Sequence, residues 1–220
     1  MNTSLIIRMI CGYTKTGKDM LCEHLNTGKG CYDWMILRER GSNLVFPFGP
    51  GVRVGFADAI KREVKKLIAP DLLKYIDLEK EKDTVLSTGL TFRQHCIIHG
   101  SKMKQEDLYY WCKLAFSDII KEQVNIVTVS DWRYLFEYGY ALSVSKACIT
   151  MRVFRKDVPV PPRDIESEHS LEHVPTDFLV IPIADYEEEF KEAVKQFPYY
   201  RNYVPYHALT KNATNHPVGC

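Results

Sequence analysis

The sequence lacks any apolar run near the ~18 residues that a membrane-spanning helix requires, so we expect no membrane partner. It also lacks a charge excess of one sign: 29 Lys and Arg against 28 Asp and Glu leave a formal net charge of +1. Proteins that bind nucleic acid through a broad surface are usually basic, with a pI above about 9. We therefore expect no nucleic acid as a partner either.

Paired cysteines are missing as well. The seven cysteines are scattered and odd in number, and none forms a C-x-x-C pair. Zinc sites and the disulfide frameworks of small secreted proteins depend on regular spacing of this kind. The N-terminal apolar stretch has no basic leader and is interrupted by Arg8, so we expect no signal peptide. These features predict a reducing, cytoplasmic setting.

No Pro/Gly/Ser-rich linker divides the 220 residues, so the sequence predicts one domain over 1–197 and a tail over 198–220. Apolar, β-branched runs predict strands at 5–11, 52–56, 124–131, 147–155 and 177–182. Helical spacing predicts helices at 20–25, 56–68, 71–82, 91–103, 106–123 and 185–197, with Ala57, Ile60, Val64, Leu67 and Ile68 on one face of the second. The glycine-rich stretch 26–51 is predicted to be a long connection. Strands that alternate with helices indicate a three-layer α/β fold with a parallel sheet.

The segment from Gly12 to Lys18 matches G-x-x-x-x-G-K between a predicted strand and a predicted helix. Backbone N–H groups of such a loop converge on an anion, and the helix dipole adds to the attraction. Lys18 would reach the β- and γ-phosphates as a mobile point charge. The predicted nucleotide contacts are Gly12, Lys15, Thr16, Gly17, Lys18, Asp19 and Met20. The alternative is a Gly/Lys-rich turn that begins a helix and binds nothing, with Lys15 simply solvated.

Ser or Thr usually follows the lysine of this motif and holds Mg²⁺, but this chain has Asp19 there. Asp19 would approach the metal directly or through water, or accept backbone N–H bonds in the first helical turn. Asp131 ends an apolar strand, at the edge where α/β sheets bind ligands. A carboxylate there would help to hold Mg²⁺, and its alternative role is to cap the following turn. Arg133 would clamp a phosphoryl group, or form an ion pair with Glu137 four residues later.

Taken together, I-C-G-Y-T-K-T-G-K-D, F-A-D-A-I-K at 56–61, Asp131-Trp-Arg133 with Glu137, and Ser167-Glu168 resemble one branch of the P-loop kinases. That branch contains the phage and large-DNA-virus deoxynucleoside monophosphate kinases and the animal-type phosphomevalonate kinases. The resemblance covers 5–195 and implies a helical acceptor-binding region at 57–122 and a mobile lid at 156–176. It implies ATP and Mg²⁺ as cofactors, a small-molecule acceptor, and a homodimer as one possible assembly.

The resemblance also assigns residues to the acceptor. Lys61 would hold the acceptor phosphate, and Asp58 either contacts the substrate or caps its helix. Arg93 would supply the fixed guanidinium that a monophosphate needs. Trp111 is either part of the core or the floor of a base pocket. These residues are substrate-binding candidates together with Glu168, which would order the lid or meet the acceptor sugar.

Basic residues crowd the predicted lid and the strand before it: Arg152, Arg155, Lys156 and Arg163. Phosphoryl transfer depends on positive charge placed against the transferring group, which a closing lid can supply. Arg155 and Arg163 are the expected fingers, and the alternative is a solvated loop whose charges the neighbouring acidic residues balance. With Lys18, Asp131 and Arg133 they form the expected catalytic set, and Asp19 and Asp131 are the expected metal ligands.

Three functions remain open on this evidence. The first is ATP- and Mg²⁺-dependent phosphorylation of a deoxynucleoside monophosphate to the diphosphate. The second is a phosphomevalonate kinase-like reaction, which would keep the phosphate contacts but need no base pocket. The third is a nucleotide-binding protein without catalytic activity.

Overall fold

A computed structural model describes residues 5–29, 33–68, 82–121 and 124–210. The chain divides into two compact units, unit 1 comprising 1–54 and 123–220 and unit 2 comprising 55–122. The predicted helix at 71–82 lies outside the described residues except for its last position. No helix in the described ranges is long and apolar enough to cross a membrane.

The secondary structure alternates between strands and helices along most of the chain. The strands are β1 (Ile6–Cys11), β2 (Trp34–Glu39), β3 (Val52–Val54), β4 (Ile126–Val129), β5 (Ala147–Val153), β6 (Phe178–Pro182) and β7 (Tyr203–Leu209). The helices are α1 (Lys18–Thr27), α2 (Phe56–Leu67), α3 (Phe92–Glu106), α4 (Tyr110–Lys121), α5 (Leu135–Val144), α6 (Glu166–His169) and α7 (Tyr186–Gln196), with a 3₁₀ helix at Pro198–Asn202.

Unit 1 is built on one seven-stranded sheet with the order β3-β4-β1-β5-β6-β2-β7. The five strands from β3 to β6 are parallel, as the apolar runs predict. β2 is antiparallel to both of its neighbours, so the sheet is mostly parallel rather than wholly so. Along β6, Phe178 and Val180 pack in a cluster with Leu21 of α1, while Leu179 and Ile181 pack with Ala193 of α7. Because side chains alternate between the faces of a strand, helices cover both faces and the α/β class is confirmed.

Two strands of the sheet, β2 and β7, were not predicted from the sequence. The stretch 26–51, interpreted as a connection, contains β2, and the predicted tail contains the 3₁₀ helix and β7. β2 has only a short apolar run, at 34–37, inside a glycine-rich stretch, and its partners β6 and β7 lie far away in sequence. Its ladder with β7 shifts register between Ile36 and Leu37. β7 contains Pro205, which is tolerated because β7 is an edge strand.

Arg8 is the polar exception in the centre of the sheet. It lies in β1 with no exposed surface. Its guanidinium donates to Thr128 Oγ1 at 3.0 Å and Asn26 Oδ1 at 2.8 Å, and to the carbonyl oxygens of Pro47 and Gly49 at 3.2 Å each. All these acceptors are neutral, and burial lowers the pKa of Arg8 to about 10. Arg8 thereby fastens the segment before β3 to the middle of the sheet.

Unit 2 is helical. Its α3 begins with a capping box, in which Thr91 Oγ1 accepts from the Gln94 N–H and the Gln94 side chain accepts from the Thr91 N–H. Glu63 of α2 accepts hydrogen bonds from His99 of α3 at 3.0 Å and Tyr110 of α4 at 2.7 Å, and so links the three helices. The predicted apolar face of α2 is only partly correct, since Val64 is buried but Leu67 is 68% exposed and Ala57 is exposed.

Candidate functional site

The glycine loop, residues 12–17, connects β1 to α1. Gly12 and Gly17 have φ values of +141° and +98°, and Lys15 also has a positive φ of +71°. A Cβ atom on Gly12 would lie 2.4 Å from the carbonyl oxygen of Val153, so the loop can pass the end of β5 this closely only with glycine. The sequence motif therefore corresponds to a tight turn between a strand and a helix, as expected. Lys15 is exposed, and Met20 lies in the first turn of α1.

Lys18 lies across this loop. Its Nζ donates to the carbonyl oxygens of Gly12 and Tyr13 at 2.6 and 2.7 Å. Thr16 is buried, and its Oγ1 donates to the same Tyr13 carbonyl at 2.8 Å. Burial lowers the pKa of Lys18, although the charge of Glu168 opposes the shift. Because both hydrogen-bond acceptors are neutral carbonyls, these two bonds do not neutralise the ammonium charge.

Glu168 of α6 is bound directly to the glycine loop. Its carboxylate accepts from the Thr14 backbone N–H at 2.7 Å and from the Thr14 hydroxyl at 2.8 Å, and it forms an ion pair with Arg133. The Glu168 side chain is only 6% exposed. Burial raises its pKa, but the hydrogen bonds from Arg133 and Thr14 outweigh burial and hold the pKa below its usual value. Glu168 thus connects the segment predicted to be a lid to the glycine loop, and its two predicted roles stay predictions.

The position of Arg133 distinguishes its two predicted partners. Its guanidinium pairs with Glu168, and Glu137 accepts instead from the backbone N–H groups of Arg133 and Tyr134 at 2.8 and 2.9 Å. Burial raises the pKa of Glu137 to about 8. Glu137 therefore caps the start of α5, while the guanidinium of Arg133 faces the glycine loop.

A small cavity lies between the glycine loop and the segment 167–171. Lys18, Arg133, Arg152 and Glu168 all line it, and it encloses about 10 Å³, the room of a single water molecule. Arg152 lies in β5, within the strand predicted at 147–155, with only 3% of its surface exposed. Its Nε donates to Tyr200 Oη at 3.1 Å, and its Nη2 donates to the carbonyl of Leu171. Three cations and one carboxylate thus converge on one point.

A second carboxylate, Glu172, connects the residues after α6 to the glycine loop. It accepts from the hydroxyl of Tyr13, from His169 Nδ1 at 2.7 Å and from Arg163 Nη1 at 2.5 Å. Burial raises its pKa, but these hydrogen bonds outweigh burial and bring it to about 2. The other expected finger, Arg155, binds Asp157 with an Nε–Oδ1 distance of 3.0 Å, as the solvated-loop alternative describes. The catalytic roles of Arg155 and Arg163 remain predictions.

Asp19 belongs to a polar group at the ends of β3 and β4 that sequence reasoning did not identify. Ser130 Oγ donates to Asp19 Oδ1 at 2.8 Å, and Arg53 reaches Ser130 Oγ and Asp19 Oδ1 at 3.2 and 3.5 Å. Asp131 follows Ser130 at the carboxyl end of β4 and is half-buried. The available signal was the Ser130-Asp131 pair at the end of an apolar strand.

No group of three or more His, Cys, Asp or Glu side chains in the described part of the chain could hold a metal ion. Mg²⁺ is commonly bound by one or two carboxylates together with substrate phosphates, so the assignment of Asp19 and Asp131 as metal ligands stays a prediction. A cleft of about 570 Å³ opens beside Asp19 along α1, with Arg53 and Glu23 also lining it. This volume is within the range of small-molecule sites.

The acceptor candidates other than Glu168 lie in unit 2. Asp58 and Lys61 form an ion pair of 3.8 Å on α2, and Arg93 Nε lies 2.8 Å from Asp83 Oδ1. Trp111 is 7% exposed and donates its indole N–H to the Gly100 carbonyl at 3.0 Å. This environment favours the core alternative for Trp111 over the base pocket.

Comparisons with known proteins add no assignment: no protein-family model matches the chain, and no curated protein is significantly similar to it.

Proposed function

We propose that this protein binds ATP with Mg²⁺ at the glycine loop and transfers the γ-phosphoryl group to the phosphate of a deoxynucleoside monophosphate. The observation that carries the proposal is the convergence of Lys18, Arg133 and Arg152 on one cavity beside the glycine loop. Phosphoryl transfer needs positive charge fixed around the transferring group more than it needs any covalent chemistry.

Different residues of unit 1 bind the phosphate chain, stabilise the charge of the transferring group and hold the metal ion. The loop N–H groups and Lys18 bind the phosphate chain. Lys18 can do so because its ammonium group exchanges hydrogen bonds to two neutral carbonyls for contacts with an anion. Arg133 and Arg152 supply guanidinium groups against the transferring phosphoryl. Asp19 and Asp131 would hold Mg²⁺, which neutralises charge on the phosphates when bound. The acceptor phosphate is already a nucleophile at neutral pH, so no side chain has to act as a general base.

The acceptor is assigned to Lys61 and Arg93 of unit 2. Both form ion pairs with carboxylates that are about half exposed or more, namely Asp58 and Asp83. Exposed pairs of this type contribute little stability, typically about 0–1 kcal/mol, so an acceptor phosphate can replace them at small cost. The choice of a deoxynucleotide as acceptor depends on the resemblance to the kinase branch.

The proposal is tested by measuring ADP release from ATP and Mg²⁺ with each common deoxy- and ribonucleoside monophosphate and with phosphomevalonate. We expect turnover with one or several deoxynucleotides. Lys18→Ala should reduce kcat by roughly 1,000-fold or more, because it removes a charge from the phosphate chain. Lys146→Ala is the matched control, because it removes the same charge from an exposed position far from the glycine loop. Lys146 precedes β5, whereas the loop lies against Val153 at the opposite end of that strand.

Other outcomes would redirect the assignment. Turnover with phosphomevalonate alone would keep the phosphate chemistry and replace the acceptor. ATP binding without turnover on any acceptor would favour a catalytically silent nucleotide-binding protein. Equal activity of Lys18→Ala and Lys146→Ala would contradict the site itself.

A further inference from the structure

Glu168 occupies the hydrogen-bond donors that an incoming phosphate would use. The three donors are the Thr14 N–H, the Thr14 hydroxyl and the Arg133 guanidinium. Backbone N–H groups of a tight loop and arginine side chains are the common ligands of phosphate in proteins. A carboxylate and a phosphoryl group offer these donors the same kind of anionic oxygen.

The space around Glu168 is too small for both anions. The cavity beside its carboxylate has about 10 Å³, and the carboxylate side chain is 6% exposed. A phosphoryl group is several times larger than the single water that such a volume holds. The loop can therefore bind a phosphate at these donors only after Glu168 has moved away.

The segment 166–172, which carries Glu168, is held to unit 1 by several polar contacts and by the buried side chain of Leu171. α6 has four residues, of which none is buried as a whole residue although the side chain of Glu168 is, and the positions before it, 162–165, are exposed. Glu168 binds Thr14 and Arg133, as described above. Glu172 accepts a hydrogen bond from the Tyr13 hydroxyl, and the Ser170 hydroxyl donates to the Arg133 carbonyl. A short segment with few buried apolar side chains opens at a lower free-energy cost than a packed core unfolds.

We propose that Glu168 is an internal competitor for phosphate: it fills the anion site of the ligand-free protein, and a nucleotide binds by displacing it. The displacement lowers the apparent affinity for the nucleotide, since binding energy is used to break the Glu168 contacts. It also couples occupation of the loop to release of the 166–172 segment. This inference rests on the proposed function in one respect, namely that the displacing anion is the phosphate chain of a nucleotide.

The test measures dissociation constants by calorimetry for ATP and for inorganic tripolyphosphate, which has no base or sugar, at constant ionic strength. Glu168→Gln should bind tripolyphosphate roughly 10- to 100-fold more tightly than wild type, because the competing charged contacts are lost. Glu168→Asp keeps the charge but shortens the side chain by one carbon, so it should also bind several-fold more tightly. Glu166→Gln is the matched control, because it removes the same charge from an exposed position of the same helix and should change affinity by less than about 3-fold.

The variants separate this inference from the proposed function. If Glu168→Gln and Glu168→Asp bind no more tightly than Glu166→Gln while wild type is an active kinase, the competitor role is refuted and the proposed function stands. If only Glu168→Gln binds more tightly, the effect is one of charge and the competitor role is again refuted.

Tighter binding by both variants, without phosphoryl transfer by the wild type, would support the competitor role of Glu168 and reject the kinase function. Failure of wild type and both variants to bind either ligand would reject both. Thermal unfolding of each variant confirms that it is folded, and Glu168→Asp serves alone if Glu168→Gln is not.

Discussion

Replacing Gly12 by alanine tests the glycine loop most directly, because the structure separates two costs of the change. The first cost is conformational: Gly12 has a φ of +141°, and L-residues lose roughly 1–2 kcal/mol in left-handed backbone. The second is steric, since the new Cβ would lie 2.4 Å from the Val153 carbonyl and 3.0 Å from Thr16 Oγ1. Overpacking of this kind adds about 1–3 kcal/mol. We expect Gly12→Ala to lose about 2–5 kcal/mol of unfolding free energy.

Gly41→Ala is the control, because Gly41 belongs to the same unit and also has a positive φ, of +83°, but a Cβ there meets nothing within 4 Å. It should lose only the conformational cost, about 1–2 kcal/mol. Urea unfolding followed by circular dichroism gives both values when the slopes agree. Gly12→Ala should also lose tripolyphosphate binding, whereas Gly41→Ala should keep it. Equal losses of stability in the two variants would refute the close approach of the loop to β5.

Three further predictions concern side chains of unit 1. Arg133→Lys keeps the charge but loses the planar guanidinium, and kcat/KM for phosphoryl transfer should fall about 100-fold; a value within threefold of wild type would contradict the role of Arg133. The pKa of Glu172 is about 2 in the folded protein and 4.5 ordinarily, so its stabilisation is present above pH 4.5 and is lost as the pH falls towards 2, by about 3 kcal/mol at most. Glu172→Gln should flatten that acid slope, and an unchanged slope would assign it to other groups. Arg8→Met should lose about 2–4 kcal/mol in urea unfolding because Thr128 and Asn26 lose a charged donor, and a loss below about 1 kcal/mol would show that the site repacks.

Local patterns were enough to predict the parallel part of the sheet and the glycine loop. β1, β4 and β5 are buried on both faces and therefore appear in the sequence as continuous apolar runs. The loop contacts are local too, since Lys18 binds the carbonyls of residues five and six positions earlier. Strand, loop and helix follow from such short-range information.

The remaining features depend on long-range contacts. Thr14 and Glu168 are 154 residues apart, and only the resemblance to the kinase branch, not the charge pattern, distinguishes Glu168 from the other acidic residues of 157–172. Arg152 was predicted to lie in a strand, but it was not among the predicted site residues, because the sequence does not show that the strand register places it opposite Cys11 of β1. Ser130 and Arg53 were not identified from the sequence, because they come together only where the ends of β3 and β4 lie side by side.

The place of β2 in the sheet has a consequence for how this chain folds. β2 lies between β6 and β7, so its hydrogen-bonding partners are Phe178–Pro182 and Tyr203–Leu209. During synthesis, Trp34 and its neighbours leave the ribosome long before either partner exists, and loop closure over such distances slows folding. An apolar strand that waits unpaired is a site for aggregation or chaperone binding. We therefore expect the sheet to be completed only after residue 209 has emerged, with β2 inserted among the last elements.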